Sequence, residues 1–251
     1  MKQKVLRISA VSYTNALPYV YGINKSAFLN DYSLSLDIPS LCAEKLIKDQ
    51  ADVGLVPVAA IPYLKKHNIF PDFCIGANGP VHSVMLYSDV PLKDIKNIFL
   101  DYQSKTSVML VQVLAKFSWQ INPQYIAATE GYESKIKDGS AGVIIGDRNF
   151  FMSKKYEYVY DLSEHWKLFT GLPFVFACWV TNKNISTAQS DALYQSFEFG
   201  VDNRNDSINQ LAKRYDRNFI KTYLSSYVSY YFDIPKQQAM SLFLNLSKKI
   251  V

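Results

Sequence analysis

Ile47-Lys48-Asp49-Gln50-Ala51-Asp52-Val53-Gly54-Leu55 has a counterpart further down the chain, Ile136-Lys137-Asp138-Gly139-Ser140-Ala141-Gly142-Val143-Ile144. Each stretch reads as a helix end, a polar turn and a short apolar run of the kind that forms a buried strand. That is one step of a β-α-β unit, a unit common enough for two copies to look alike by chance. The copies fall once in each half of the first 150 residues, a placement that suits two lobes of like topology.

Outward from these segments the same alternation continues. Val5 to Val11 and Leu34 to Ile38 read as strands. A short helix over Ser40 to Lys48 follows, with Ser40 as N-cap after Pro39, then the buried strand Val53 to Val56 and a helix over Val58 to Lys66. Leu110, Val113, Leu114 and Phe117 recur at helical spacing, on a helix that starts near Ser104 to Ser107. Past residue 185 the pattern is helical, with Leu193, Phe197 and Val201 on one face and Tyr223, Tyr227 and Tyr231 aligned on another. The fold class is α/β with two lobes. Ser83 to Ser88 and Phe174 to Thr181, extended apolar runs bracketing the second lobe, are the candidate hinge strands. The expected partition is residues 1–88 with 178–251 in lobe 1, and 89–177 in lobe 2.

Composition narrows the function. The chain has 251 residues, 49% hydrophobic and 20% charged, with a net charge of +5 spread along it. This suits an anionic small molecule and predicts no nucleic-acid partner. The tyrosines are numerous, 18 in all, and their helical spacing favours packing over base stacking. No apolar stretch approaches a membrane span, and Arg7 interrupts the N-terminal apolar run too early for an export signal. With Cys42, Cys74 and Cys178 far apart, a cytoplasmic protein without a membrane partner is expected. Phosphate-loop, dinucleotide, zinc-protease and nucleophile-elbow motifs are missing, and His67, His82 and His165 are scattered, so neither a cofactor nor a metal is expected.

What remains is polar residues where strands end, the place at which open α/β sheets bind ligands. Ser12, Tyr13 and Asn15 follow the first strand; His82 and Ser83 open another; Thr106 and Ser107 open a helix; Gly146 and Asp147 follow the strand Val143 to Ile145. Taken singly, each fits a cap or a turn as well as a ligand contact.

In order along the chain, however, six segments together resemble the chorismate dehydratases, the first enzymes of the futalosine route to menaquinone. They are Ser12-Tyr13-Thr14-Asn15-Ala16-Leu17-Pro18, Asp52 to Pro57, Gly79-Pro80-Val81-His82-Ser83-Val84, Ser104-Lys105-Thr106-Ser107, Ile145-Gly146-Asp147, and Asp161 to Trp166 with Thr170 to Ala177. The resemblance runs from about residue 5 to 245. It implies a type II periplasmic-binding-protein-like fold whose two lobes close over a ligand cleft, kept inside the cell. It further implies a hydro-lyase acting on chorismate, a dicarboxylate, with loss of the C3 proton and C4 hydroxide to give 3-[(1-carboxyvinyl)oxy]benzoate.

Carried over by position, Asn15 and Ser83 are the expected catalytic pair, holding a substrate carboxylate. Ser12, Tyr13, His82, Thr106, Ser107, Asp147, Thr170 and Gly171 are the expected substrate contacts. A substrate carboxylate is the expected base, with Asp147 and His82 as alternatives. The chain departs from the family where Thr14 stands in place of a Leu and His82 in place of an Arg. Two rivals use the same fold. Dihydroxynaphthoate synthase carries a Ser-Pro-Cys-Pro-Asn-Asp segment that this sequence lacks; a non-enzymatic solute sensor would bind chorismate without turnover.

Overall fold

Each apolar run of the sequence finds its place in the computed structural model of the protein, which describes residues 5–213 and 215–250. In chain order, β1 (Leu6–Val11), α1 (Leu17–Lys25), β2 (Tyr32–Asp37), α2 (Pro39–Ile47), β3 (Val53–Pro57) and β4 (Asn68–Ala77) come first. Then come β5 (Val84–Ser88), β6 (Asn97–Leu100), α3 (Lys105–Phe117), β7 (Gln124–Ala127), β8 (Ser140–Ile145), β9 (Tyr158–Asp161) and α4 (Leu162–Thr170). The chain ends with β10 (Phe174–Thr181), α5 (Thr187–Asp202), α6 (Arg204–Ser207), α7 (Arg217–Thr222), β11 (Ser229–Tyr231) and α8 (Ile234–Ser247).

Two compact units result, residues 1–75 with 177–232 and residues 76–176 with 233–251. The first is built on the sheet β11-β4-β10-β3-β1-β2. Within it β1 runs parallel to β2 and β3, and β10 runs antiparallel to β3. Every residue of β3 is buried, as a central strand covered on both faces requires. Helices α1 and α5 approach until only glycine fits: a Cβ on Gly22 would lie 1.9 Å from the Ser196 carbonyl oxygen, and one on Gly200 2.0 Å from that of Pro18. Tyr19, Phe73 and Trp179 surround Phe197, with Trp179 and Phe197 stacked at 4.4 Å and the others edge-on.

The second unit is built on the sheet β7-β6-β8-β5-β9. Strand β6 is parallel to β7 and β8, while β5 is antiparallel to β8 and β9. Trp166 of α4, Phe174 and Phe243 of α8 meet at ring distances of 5.1 to 6.0 Å, and this cluster is why the C-terminal helix belongs here. The units divide at 75/76, 176/177 and 232/233, where the sequence reading divides the chain at 88/89 and 177/178.

Four local expectations change. Strand β5 lies wholly within the second unit, and the strand that carries the chain out of the first is β4; β10 carries it back. The N-cap of α2 is Ile38, because Pro39 fits the first helical position, where its missing N–H costs nothing; Ser40 comes after it. The segment after β3 is a 3-10 helix, Val58–Tyr63, because Pro62 removes a donor and obstructs an α-helix. Tyr223, Tyr227 and Tyr231 share no helix face: residues 223–227 form a π-turn, Val228 is extended, and Tyr231 is on β11. Among the described residues no helix is long and apolar enough to cross a membrane.

Candidate functional site

The register of the second sheet brings separate segments to one edge. Strands β6 and β8 are parallel, so Asp101 to Ser107 after β6 and Gly146 to Asn149 after β8 leave at the same end. Antiparallel β5 pairs Val84 with Ile145, which puts Ser83 beside Gly146, and pairs Met85 with Asp161, which puts the end of β9 there too. Of the residues expected to form the site, His82, Ser83, Thr106, Ser107 and Asp147 therefore gather on one edge of one unit.

Asp161 organises that edge. One carboxylate oxygen caps α4, accepting from Ser163 N–H at 2.9 Å and Glu164 N–H at 3.2 Å. The other accepts the N–H groups of Val81 and His82, both at 2.7 Å. Burial pushes this carboxyl above its ordinary range, against the pull of its N–H donors. His82 is left-handed, with φ of 59°, a conformation costing roughly 1 kcal/mol or more in a non-glycine residue. The two N–H bonds to Asp161 hold it there, and thereby set the entry into Ser83.

Ser83 is 2% exposed, and its carbonyl accepts Gly146 N–H at 2.8 Å and Asn149 Nδ2 at 3.2 Å. Gly146 has φ of 66°, which only glycine adopts freely, so β8 ends in a turn that places Asp147 next in line. Asp101, beyond β6, accepts from Gln103 N–H at 2.9 Å, Tyr132 Oη at 2.9 Å and Ile145 N–H at 3.3 Å, and pairs with Arg148, which also reaches Glu133 at 2.9 Å. Burial raises the Asp101 carboxyl while Arg148 opposes the rise.

Ser104 caps α3, accepting Ser107 N–H at 3.2 Å, as the sequence reading expects. Thr106 and Ser107 are buried, at 0% and 2% exposure, with the Ser107 hydroxyl 3.1 Å from that of Ser104. Thr170 and Gly171 are placed differently. They close the far end of α4, about 13 Å along the helix axis from Asp161. The Thr170 hydroxyl donates to the Trp166 carbonyl at 2.8 Å and accepts Leu172 N–H at 3.1 Å, while Gly171 is the left-handed C-cap.

In the first unit, Ser12 and Tyr13 leave the carboxyl end of β1, with Ser12 exposed and Tyr13 half-buried, and Asn15 sits on the following 3-10 turn, Thr14–Ala16. The Asn15 carbonyl accepts from Tyr230 Oη at 3.1 Å, but its side-chain Oδ1 is buried without a hydrogen bond. Such an orphaned acceptor costs on the order of 1–3 kcal/mol and calls for a reason. A cavity of about 620 Å³ in this unit is lined by Lys65, Lys66, His67, Asn68, Asn182, Lys183 and Asn184, at the opposite end of the sheet; no nominated residue lines it.

Asn149, Asp101 and Arg148, which also stand at this edge, were not visible in the sequence, since each is an ordinary polar residue and the contacts that place it there span 66 positions for Asn149 to Ser83 and 47 for Asp101 to Arg148. Asp161 stood inside a motif segment without an assigned task. A carboxylate directly before a helix is the signal that gives half of its role, the cap.

The sequence profile described as menaquinone biosynthesis matches residues 6–249. The chain belongs to the menaquinone biosynthesis family. A relative from Thermus thermophilus, a chorismate dehydratase, is 32% identical over 152 residues. That stretch is 51% of this chain and 54% of the relative, so the match spans about half the relative's length. Among solved structures, a protein from Archaeoglobus fulgidus superposes with a TM-score of 0.75 at 14% identity, covering 99% of this chain and 98% of its own. A Candida albicans gene product with the generic periplasmic binding protein fold gives 0.61 at 12% identity, covering 99% and 94%. The two α/β units are thus those of a periplasmic-binding-protein-like fold in a family of menaquinone biosynthesis.

Proposed function

We propose that the protein is a chorismate dehydratase, a carbon-oxygen hydro-lyase that converts chorismate to 3-[(1-carboxyvinyl)oxy]benzoate and water. The observation that carries the reading is the family match over residues 6–249, joined to a relative of that name. Chemically, the C3 proton and the C4 hydroxide leave and the ring becomes aromatic. The product's aromaticity supplies the driving force, so the protein has to bind, orient and assist proton transfer.

Asn15 and Ser83 are the proposed catalytic pair. The unpartnered Asn15 Oδ1 is an acceptor suited to a substrate hydroxyl, and Ser83 is pre-set by the bonds on its loop. The Asn15 amide N–H and the Ser83 hydroxyl donate to a substrate carboxylate held against C3–H, and that carboxylate takes the proton. Thr106 and Ser107, at the start of α3, bind the second carboxylate with help from the helix dipole. Ser12, Tyr13, His82 and Asp147 complete the contacts. Thr170 and Gly171 contribute by ending α4, since the Thr170 hydroxyl is engaged in the cap. The reaction runs without an added cofactor and in the cytoplasm, which suits three buried cysteines that form no disulfide.

The test is incubation of metal-free protein with chorismate, followed by mass and ultraviolet analysis. An aromatic product lighter by one water, formed well above the no-enzyme rate, is expected. Unchanged chorismate overturns the reading. Asn15→Ala and Ser83→Ala should each lower kcat/KM by about 100- to 1,000-fold, the effect of removing one well-placed donor; full activity in both removes them from the site.

A further inference from the structure

Asn149 is partly buried at the edge of the second sheet and is absent from the motifs that carry the family resemblance. Its Nδ2 lies 3.2 Å from the Ser83 carbonyl, 3.1 Å from that of Ile144 and 3.0 Å from that of Gly146. One amide thereby joins the residue before β5, the end of β8 and the turn that follows it. The amide cannot be reversed without loss, because Oδ1, which now accepts the Tyr87 hydroxyl at 3.0 Å, would then face three carbonyl oxygens. Tyr87 is 8% exposed, and burial pushes its phenol up to about 12, so it remains a donor at neutral pH.

The arrangement has a mechanical consequence. Gly146 N–H bonds the Ser83 carbonyl at 2.8 Å, and Gly146 is left-handed and opens the 3-10 turn Gly146–Phe151, which Arg148 also ties to Asp101 and Glu133. Asn149, within the turn, adds a bond to the same carbonyl and ties itself back to the end of β8 and the start of the turn. Together with Asp161, which holds the N–H groups of Val81 and His82, it fixes the backbone of Ser83 from both directions. A serine hydroxyl is one rotatable bond from its Cα, so the backbone sets where Oγ stands, and a displacement near 1 Å at a reacting group costs up to about 100-fold in rate.

We propose that Asn149 is a positioning residue for Ser83, locking the Ser83 backbone to the Gly146–Asp147 turn so that both present their side chains to the substrate in one geometry. This rests on the reading that Ser83 contacts chorismate. Asn149 touches no reacting atom; it acts through Ser83, and Tyr87 acts through Asn149.

The experiment is a double-mutant cycle on the full chain with chorismate as substrate. Asn149→Ala should lower kcat/KM by about 10- to 100-fold. In the Ser83→Ala background the same change should cost almost nothing, because a residue acting through Ser83 has nothing left to position. Tyr87→Phe, which removes one oxygen and keeps the ring, should give a smaller loss of about 3- to 10-fold that also vanishes in Ser83→Ala; it preserves the test if Asn149→Ala fails to fold. Equal losses with and without Ser83, tracking the fall in Tm, overturn positioning in favour of a purely structural bond. If wild-type protein leaves chorismate unchanged, or Ser83→Ala keeps full activity, the functional reading itself falls and takes this proposal with it. Turnover by wild type with loss in Ser83→Ala but none in either clamp variant overturns the clamp alone.

Discussion

The two turns that enter β3 and β8 reach the same backbone shape by different chemistry. Asp49 and Asp138 are both left-handed, each with φ of 57°. Each turn leads to a strand glycine that lies under an aliphatic side chain from just before the turn: Gly54 under Leu46, Gly142 under Ile136. At the first turn the support is ionic. Arg7 donates to Asp52 at 3.0 and 2.7 Å and to the Asp49 carbonyl at 2.7 Å, and Lys183 reaches Asp52 at 2.9 Å and also pairs with Asp49. At the second turn a single carboxylate, Asp89, accepts the N–H groups of Asp138 and Gly139 at 2.7 and 3.3 Å. Similar sequence has fixed the conformation and left the means of holding it open.

The largest effect separates the glycines. A Cβ on Gly142 would meet Ile136 Cδ1 at 2.5 Å, Cγ1 at 2.8 Å and the Tyr132 ring at 3.3 Å, and that ring is anchored through its hydroxyl to Asp101. At Gly54 the close contact is one atom, Leu46 Cδ1 at 2.4 Å, the tip of a flexible side chain. Gly142→Ala should destabilise by about 2–3 kcal/mol and Gly54→Ala by about 1, read as denaturant midpoints. Equal costs would mean that the two packings yield alike.

Next comes the ionic support. The Asp52 side chain is 7% exposed, and removing its charge leaves Arg7 and Lys183 sharing Asp49, so Asp52→Asn should cost about 1–3 kcal/mol at pH 7. The cations hold the Asp52 carboxyl far below the ordinary range, so its contribution is complete above the unfolded value near 4 and is lost as pH falls through the folded one. The gap between wild type and Asp52→Asn should therefore shrink steadily below about pH 4. A pH-independent gap would show that Asp52 acts through packing and hydrogen bonds alone.

These turns also mark what one sequence discloses. The repeat exposed the strands β3 and β8 because buried runs and polar turns are local signals. Asn149 and Asp101 stayed hidden, since what makes them matter is sheet register, which sets partners dozens of residues apart. Gly79 to Ser83 and Ser104 to Ser107 were legible as loops and caps from local chemistry, whereas the double use of Asp161 needed β9 beside β5. The boundary of the second unit was unreadable for a similar reason: α8 joins it through Phe243, whose partners Trp166 and Phe174 lie far upstream. The tyrosine stripe misled because equal spacing does not show that a helix persists, and Val228 turns the chain into a strand.

At the second turn, Asp89→Ala should cost about 1 kcal/mol, the usual price of leaving N–H groups without their carboxylate, and the loss should be insensitive to added salt compared with that of Asp52→Asn.

The smallest effect is the sharpest comparison, because it asks for opposite signs from one substitution. Asp138 pays for its left-handed backbone and receives little in return: its side chain is 84% exposed and meets Lys137 at only 3.9 Å, a pair worth next to nothing in water. Glycine adopts that conformation without steric cost, and the Asp89 bonds go to backbone N–H groups that glycine keeps, so Asp138→Gly should be neutral or stabilise by up to about 0.5–1 kcal/mol. Asp49 has the same φ, but its carboxylate joins the pairs with Lys183 and Arg7. Asp49→Gly gains the same backbone relief and loses those pairs, so its Tm should fall below that of Asp138→Gly, with the difference narrowing as salt is raised. Identical behaviour of the two variants at low salt would mean that the ion cluster of the first turn holds through Asp52 alone.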